Sequence, residues 1–267
     1  MDNIGVAYLG PDGTFCHEAA LTYFKNNNKN YIPVKRIDDV FRKVINDECL
    51  YGVVPAENSI AGTIVDTIDL FAQTEIKIYD QITLEIRQTL LSNSKKEKIT
   101  KIYTHSHSFY QCSKYLIDNF PNAEYIETTS NSKAAIIAAN EPNSAAIGPL
   151  LCAKEYGLKV IEENINDFKH NETKFFVISK KVEDILKEKS LIIFSVPNKS
   201  GSLFNLLKIF KKNKVNMTRI ESRPSKLKKW DYIFIIEYEN LKDINKIKKV
   251  INKAKKICDY FNYLGSY

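Results

Sequence analysis

Short apolar runs alternate with amphipathic stripes from residue 4 to residue 178, a rhythm that a layered α/β fold satisfies and that an all-helical or all-β chain does not. Ile4–Leu9 reads as a buried strand closed by the turn Gly10-Pro11-Asp12-Gly13. Thr14 caps the helix that follows, whose apolar face is Ala19, Ala20, Tyr23 and Phe24, and the polar run 25–30 ends it. A second helix carries Val40, Val44 and Ile45. Tyr51–Val54 is a short strand expected to stop at Pro55, and a third helix is expected to begin near Gly62-Thr63. Strand-rich 76–91 leads to a second repeat, with strands at 102–104, 124–126 and 145–148 and helices over 108–120 and 132–139. The chain then returns through 158–161 to 174–178. Two α/β lobes joined by two crossings leave a cleft, and ligands of such folds bind where strand ends meet the crevice.

Residues 179–190 form a charged linker or short helix, after which the rhythm changes. Strand 191–196, helix 201–212, strands 215–222 and 230–238, helix 242–255 and strand 257–264 give the ferredoxin-like order βαββαβ. Leu203, Leu206, Leu207 and Phe210 make one helical stripe, and Ile244, Ile247 and Ile251 the other. Both helices must cover one face of the four-stranded sheet, leaving the second face for a helix or a partner subunit.

Composition narrows the function classes. Residues 181–267 hold 20 Lys/Arg against 9 Asp/Glu, but the lysines are spread through amphipathic elements with no nucleic-acid-binding motif, so a solvated face is the expected reading and no nucleic-acid partner is expected. No run approaches the roughly 20 apolar residues of a membrane span, and the N-terminus lacks the pattern of an export signal, so a cytoplasmic protein is expected. The five cysteines are widely scattered and the four histidines add no ligand cluster, so neither a structural metal nor a disulfide framework is expected.

Five short segments carry candidate chemistry. The turn before Thr14 presents a helix start to an anion, though an ordinary turn and cap explains it as well. Glu57, Asn58, Ser59 and Thr63 lie at a strand end ahead of a helix, where Asn58 or Ser59 can also serve as a plain cap; Glu57 suits an orienting role, because it would repel an anion. In Thr104-His105-Ser106-His107-Ser108, the histidines would point to opposite sides if the strand continued, so no metal site is expected there and Ser106 and Ser108 are left as donors. Thr173 and Lys174 stand where the second crossing enters a strand. In the small domain, the loop Asn198-Lys199-Ser200-Gly201-Ser202-Leu203 exposes N–H groups suited to a carboxylate, and Glu221 beside Ser222 and Arg223 suits an ammonium group; together they would hold an amino acid.

In order and spacing, these segments resemble the prephenate dehydratase family over nearly the whole chain. The matching stretches are Leu9–Phe15, Gly52–Ser59, Thr67–Leu70, Gln111-Cys112, Ala153–Leu158 and Asn171–Phe175. The C-terminal part is similar to an ACT domain, most specifically at Ile220-Glu221-Ser222-Arg223-Pro224. The family's Thr-Arg-Phe motif stands here as Thr173-Lys174-Phe175, and Lys174 keeps the charge while losing the planar five-donor fork of arginine.

The resemblance implies a two-lobed, periplasmic-binding-protein-like catalytic domain over 1–180 and an ACT regulatory domain over 190–267. Lobe 1 would take about 1–77 and 158–180, and lobe 2 about 78–157. The implied reaction converts prephenate to phenylpyruvate in phenylalanine biosynthesis, with loss of carbon dioxide and of the ring hydroxyl as water. Aromatisation drives it, so no cofactor or metal is implied. Thr173 would be catalytic, and Thr14, Asn58, Ser59, Thr63, Ser106, Gln111, Ser130, Lys174 and Phe175 would bind substrate. L-phenylalanine would act as effector on Asn198, Ser200, Gly201, Ser202, Leu203, Glu221, Ser222 and Arg223, in a homodimer or homotetramer. Arogenate as substrate, or a non-catalytic carboxylate-binding protein on the same fold, are the alternatives.

Overall fold

The computed structural model describes residues 5–25, 29–181, 186–225 and 232–267; the expected strand starts at Ile4 and 230, residues 26–28 of the polar run and 182–185 of the charged linker lie outside them. In chain order the first elements are β1 (Gly5–Leu9), α1 (Phe15–Tyr23), β2 (Asn30–Val34), α2 (Ile37–Ile45), β3 (Tyr51–Asn58), β4 (Gly62–Thr63), α3 (Val65–Gln73) and β5 (Lys77–Glu85). Next come β6 (Thr89–Ser92), β7 (Lys101–Thr104), α4 (Ser106–Gln111), α5 (Ser113–Asn119), β8 (Glu124–Glu127), α6 (Asn131–Asn140), β9 (Ser144–Gly148), α7 (Leu151–Tyr156), β10 (Lys159–Glu162) and β11 (Glu172–Ser179). The last are β12 (Lys189–Ser195), α8 (Ser202–Lys212), β13 (Met217–Pro224), β14 (Tyr232–Glu239), α9 (Ile244–Lys255) and β15 (Tyr260–Ser266).

Three sheets organise these elements. The first runs β2-β1-β3-β11-β5, with β4 paired to β3; the second runs β10-β6-β9-β7-β8. In the first, β1 is parallel to both β2 and β3; in the second, β7 is parallel to β8 and β9. Alternate residues of the second sheet enter two separate cores. Leu90, Ile102, Ala145 and Ile147 meet Leu116 and Phe120, while Leu91, Tyr103 and Ala146 meet Ala134, Ala135 and Ala138 of α6. Helices on both faces explain why these strands read as continuous apolar runs.

Three expectations need correction. β3 does not stop at Pro55 but runs to Asn58, because proline withholds only its own N–H while Glu57 and Asn58 beyond it pair with Thr63 and Gly62 of β4. Gly62-Thr63 form the short strand β4 against Glu57 and Asn58, so the helix begins at Val65. β5 joins the first sheet and β10 the second, which puts the crossings at 86–88 and 163–171 rather than near 77 and 158.

The described chain forms two compact units, Met1–Ile68 with Ile82–Val177, and Asp69–Gln81 with Ile178–Tyr267. Within the second, the sheet order β13-β14-β12-β15 and two covering helices give the ferredoxin-like βαββαβ arrangement. Ile192, Phe194, Ile236 and Tyr238 face α8 and α9 through Leu206, Phe210, Ile247 and Val250. The opposite face is met by the same chain. Tyr260 Oη donates to Ala72 O at 2.8 Å, Asn262 Nδ2 to Phe71 O at 2.9 Å, and Arg223 pairs with Asp69 at 3.3 Å. Gly265 at φ 125° lets β15 approach β5, because a Cβ there would lie 2.5 Å from Ile78 O. Among the described residues, no helix is long and apolar enough to cross a membrane.

Candidate active site

The two sheets of the first unit border a cleft of about 470 Å³. One wall comes from the β1–α1 turn, the end of β3 and the start of β11, and contributes Thr14, Phe15, Cys16, Asn58, Thr173 and Phe175. The other comes from the first crossing, both ends of α4 and the N-terminal end of α6, and contributes Gln88, His105, His107, Gln111, Ser130 and Asn131. The walls meet at the turn after β1. Gly13, at φ 81°, leaves room for Cys152 of α7, whose Sγ donates to Gly13 O at 3.1 Å. Tyr156 Oη donates to Asp12 O at 2.5 Å beside it.

A single network fixes Thr173. Asn58 Oδ1 accepts from the N–H groups of Ile60 and Ala61 at 3.0 and 2.8 Å, which sets the orientation of the amide. Its Nδ2 then donates to Asn171 Oδ1 at 2.7 Å, Glu172 O at 3.1 Å and Thr173 Oγ1 at 2.9 Å. Because Thr173 Oγ1 accepts from Asn58, its own proton is left to donate into the cleft. Phe175, two residues along β11 on the same face, supplies an apolar wall.

The electrostatics suit an anion. Among the described residues no Asp or Glu side chain borders the cleft, whereas Lys35 and the N-terminal ends of α1, α4 and α6 do. Thr14 Oγ1 accepts from His17 N at 3.2 Å and Ser130 Oγ from Lys133 N at 3.0 Å, so both residues are caps as well as lining. Burial pushes the Cys16 thiol up to about 12, which makes it a neutral wall rather than a thiolate. The strand ends at Thr104, so His105 and His107 do not diverge. They stack at 5.4 Å at the start of α4, with His107 N donating to His105 Nδ1 at 3.3 Å. Burial and the neighbouring His107 lower the pKa of His105. Among the described residues, no group of three or more His, Cys, Asp or Glu is arranged to hold a metal.

Of the residues expected at the substrate, the structure brings Thr14, Asn58, Gln111, Ser130, Thr173 and Phe175 to the cleft. It does not bring Ser59, Thr63, Ser106 or Lys174 there. Ser59 Oγ accepts from Glu172 N at 2.9 Å, tying the β3 end to β11. Thr63 pairs with Glu57 in the β4 hairpin, and Ser106 is exposed on α4. Strand alternation turns Lys174 to the other side of β11 from Thr173, where its Nζ lies 3.1 Å from Glu57 Oε2. Sequence reasoning missed Gln88 and Lys35; neither stands in a motif, and only the hand and register of the sheets bring them to the cleft.

In the second unit, Asn198, Ser202 and Leu203 line a cavity of about 250 Å³ with Tyr232 and Phe234. Ser200 and Gly201 border it in sequence, Gly201 at φ 84° as the N-cap of α8. Glu221, Ser222 and Arg223 lie on the edge strand β13, where Glu221 pairs with Arg219 at 2.8 Å and Arg223 is engaged with Asp69.

A two-lobed α/β unit whose cleft is bordered by no Asp or Glu among the described residues, followed by a ferredoxin-like unit, defines a class of two-part α/β proteins with the cleft confined to the first part. A profile described as Prephenate dehydratase matches residues 6–183, and one described as ACT domain matches 190–256. A bifunctional chorismate mutase/prephenate dehydratase of Aquifex aeolicus is 38% identical over 99% of this chain and 73% of its own length. A prephenate dehydratase of Methanocaldococcus jannaschii is 34% identical over 99% of this chain and 98% of its own. The solved prephenate dehydratase of Staphylococcus aureus superposes with a TM-score of 0.83 at 30% identity, covering 99% of this chain and 100% of that one. The Arthrobacter aurescens enzyme, solved in complex with L-Phe, gives a TM-score of 0.88 at 27% identity, covering 98% of this chain and 89% of that one. The chain belongs to the prephenate dehydratase family, with a C-terminal ACT domain. It is a lyase of phenylalanine biosynthesis that converts prephenate to phenylpyruvate.

Proposed function

We propose that the cleft between the two sheets is where this dehydration occurs and that Thr173 is its catalytic residue. The observation that carries the reading is the Thr173 hydroxyl, which accepts from Asn58 Nδ2 at 2.9 Å and so keeps its proton for the cleft. Prephenate carries two carboxylates, a ketone and one ring hydroxyl. The enzyme has to hold the pyruvyl carboxylate, let the ring carboxylate leave as carbon dioxide, and ease the departure of hydroxide from the opposite ring carbon. As the ring carbon–carboxylate bond breaks, its electron pair enters the ring and expels the hydroxyl. A hydrogen bond from Thr173 Oγ1 stabilises the charge growing on that oxygen, and preorganisation by Asn58 avoids reorienting the donor during the reaction. Gln111, the helix starts at Thr14 and Ser130, and Lys35 bind the carboxylates, and Phe175 borders the ring. Lys174 orients the end of β3 through Glu57, and Ser59 and Thr63 hold the same turn.

L-phenylalanine acts as effector at the α8 start and β13 of the ACT domain, the reading supported by the small cavity beside Asn198, Ser202 and Leu203 and by the half-buried Glu221. The domain pairs with a second copy, in a homodimer or homotetramer. Edge strand β13 leaves Ile220 exposed and α8 leaves Phe204 exposed, apolar area that pairing would cover. The protein is cytoplasmic, in keeping with five free cysteines.

One experiment addresses both sites: phenylpyruvate formation from prephenate by the wild type and Thr173→Ala, each with and without L-phenylalanine. The wild type is expected to turn over and to be slowed by phenylalanine. Thr173→Ala is expected to lose about 100- to 1000-fold in kcat. Near-native turnover by the variant removes Thr173 from this role, and a wild-type rate indifferent to saturating phenylalanine removes the effector reading.

A further inference from the structure

We propose that Gln88 is a positioning residue for substrate binding, acting by holding the Gln111 amide with its NH2 group turned to the cleft. The inference rests on the reading of Gln111 as a carboxylate donor. Gln88 is only 2% exposed and stands on the first crossing, just before β6. The returning crossing clamps its backbone from both sides: Gln88 N donates to Asn166 Oδ1 at 2.7 Å, and Gln88 O accepts from Ile165 N at 3.0 Å. Its side-chain Nε2 donates to Ser108 Oγ at 3.0 Å and to Gln111 Oε1 at 3.1 Å.

The network itself sets which way these amides face. Ser108 has one hydroxyl proton and gives it to Asn131 Oδ1 at 2.9 Å, so Ser108 requires a donor from its other neighbour. With Ser108 donating to Asn131, Gln88 presents Nε2 to Ser108 and to Gln111, and among the described residues its Oε1 is buried without a partner. A buried carbonyl without a hydrogen bond costs stability, which the two bonds from Gln88 Nε2 offset. The consequence of this orientation falls on Gln111, whose Oε1 is committed to Gln88 Nε2. The amide is planar, so Gln111 Nε2 projects from the other branch. It has no partner in the described structure, and Gln111 borders the cleft.

The orientation matters because the substrate's carboxylates and ketone are all acceptors. An amide NH2 binds them, whereas the same amide turned over would aim a carbonyl oxygen at a carboxylate. Gln88, which also borders the cleft, thus keeps a residue that binds from becoming one that repels.

A double-mutant cycle tests the proposal. KM and kcat for prephenate are measured for the wild type, Gln88→Leu, Gln111→Leu and the double variant. Gln88→Leu is expected to raise KM about tenfold, the loss of about one well-placed hydrogen bond, with kcat little changed. In the Gln111→Leu background the same change is expected to add nothing. An equal rise in KM in both backgrounds, or no rise in either, overturns the proposal. An unchanged KM in Gln111→Leu sinks the reading of Gln111, and this inference with it. If Gln88→Leu does not fold, Gln88→Glu makes the same comparison: an ionised carboxylate accepts only, turns the Gln111 amide over and is expected to raise KM further. A KM for Gln88→Glu that rises no less when Gln111 is leucine counts against coupling in the same way.

Discussion

The two walls of the cleft are each built around an amide that directs its NH2 at neighbouring side chains, and they differ in what those neighbours then present. On the first wall, Asn58 anchors its oxygen on two backbone N–H groups and directs its NH2 at Asn171 and Thr173, leaving a hydroxyl proton for the substrate. On the second, Gln88 directs its NH2 at Ser108 and Gln111, leaving an amide NH2 on Gln111. In the proposed mechanism, the first network aims a donor at a charge that exists only as hydroxide departs, and the second aims one at charges the substrate already carries. Interactions that strengthen in the transition state raise kcat, while those equal in both states set KM. Disturbing the first wall should therefore slow the chemistry, and disturbing the second should weaken binding.

The largest effect should come from the first wall. Asn58→Ala leaves the Thr173 hydroxyl free to rotate and is expected to lower kcat by about 100-fold, the order of loss that accompanies misplacing a catalytic group. Steady-state kinetics decide it. A variant that raises KM while sparing kcat would break the division between the walls. A smaller effect separates two lysines. Lys35 borders the cleft but is exposed, so Lys35→Met should raise KM about threefold at low salt and less at high salt. Lys174→Met, which removes an ion pair with Glu57 outside the lining, should change KM by less. Reversal of that order would return Lys174 to the substrate.

The smallest effect concerns stability. His17 in α1 stacks on Tyr8 at 4.7 Å and accepts from Gly13 N at 3.1 Å, and burial lowers its pKa against the opposing pull of Asp12 and Glu155. The unfolded chain therefore binds the proton more readily. Stability is present in full above the ordinary value of 6.5 and declines as pH falls from there toward the lower folded value. Urea unfolding at pH 7.5 and 5.5 should show the wild type losing stability, and His17→Asn losing less. Equal slopes would show that His17 does not carry the dependence.

How much of this was legible depended on the range of the signal. The βαββαβ order of the C-terminal unit followed from the stripes Leu203-Leu206-Phe210 and Ile244-Ile247-Ile251, because helical and strand periods are local. Thr14 was legible as a cap for the same reason. The extension of β3 past Pro55 was not, since it depends on Glu57 and Asn58 pairing with Thr63 and Gly62. Lys174 was misplaced because the motif names neighbours in sequence, and adjacent residues of a strand face opposite sides.

The sequence by itself determined the layered α/β unit, the ferredoxin-like unit after it, the family, and the run of residues that includes Thr173. These rest on periodicity and on short ordered segments, which need no knowledge of distant contacts. Tertiary structure alone decided that Asn58 meets Thr173, 115 residues away, that Gln88 meets Gln111 from a different element, and that segment 69–81 meets the second face of the C-terminal sheet. The physical reason is that hydrogen-bond direction is a property of assembled neighbours. A sequence records that an amide is present; only the groups packed around it fix which end faces the substrate.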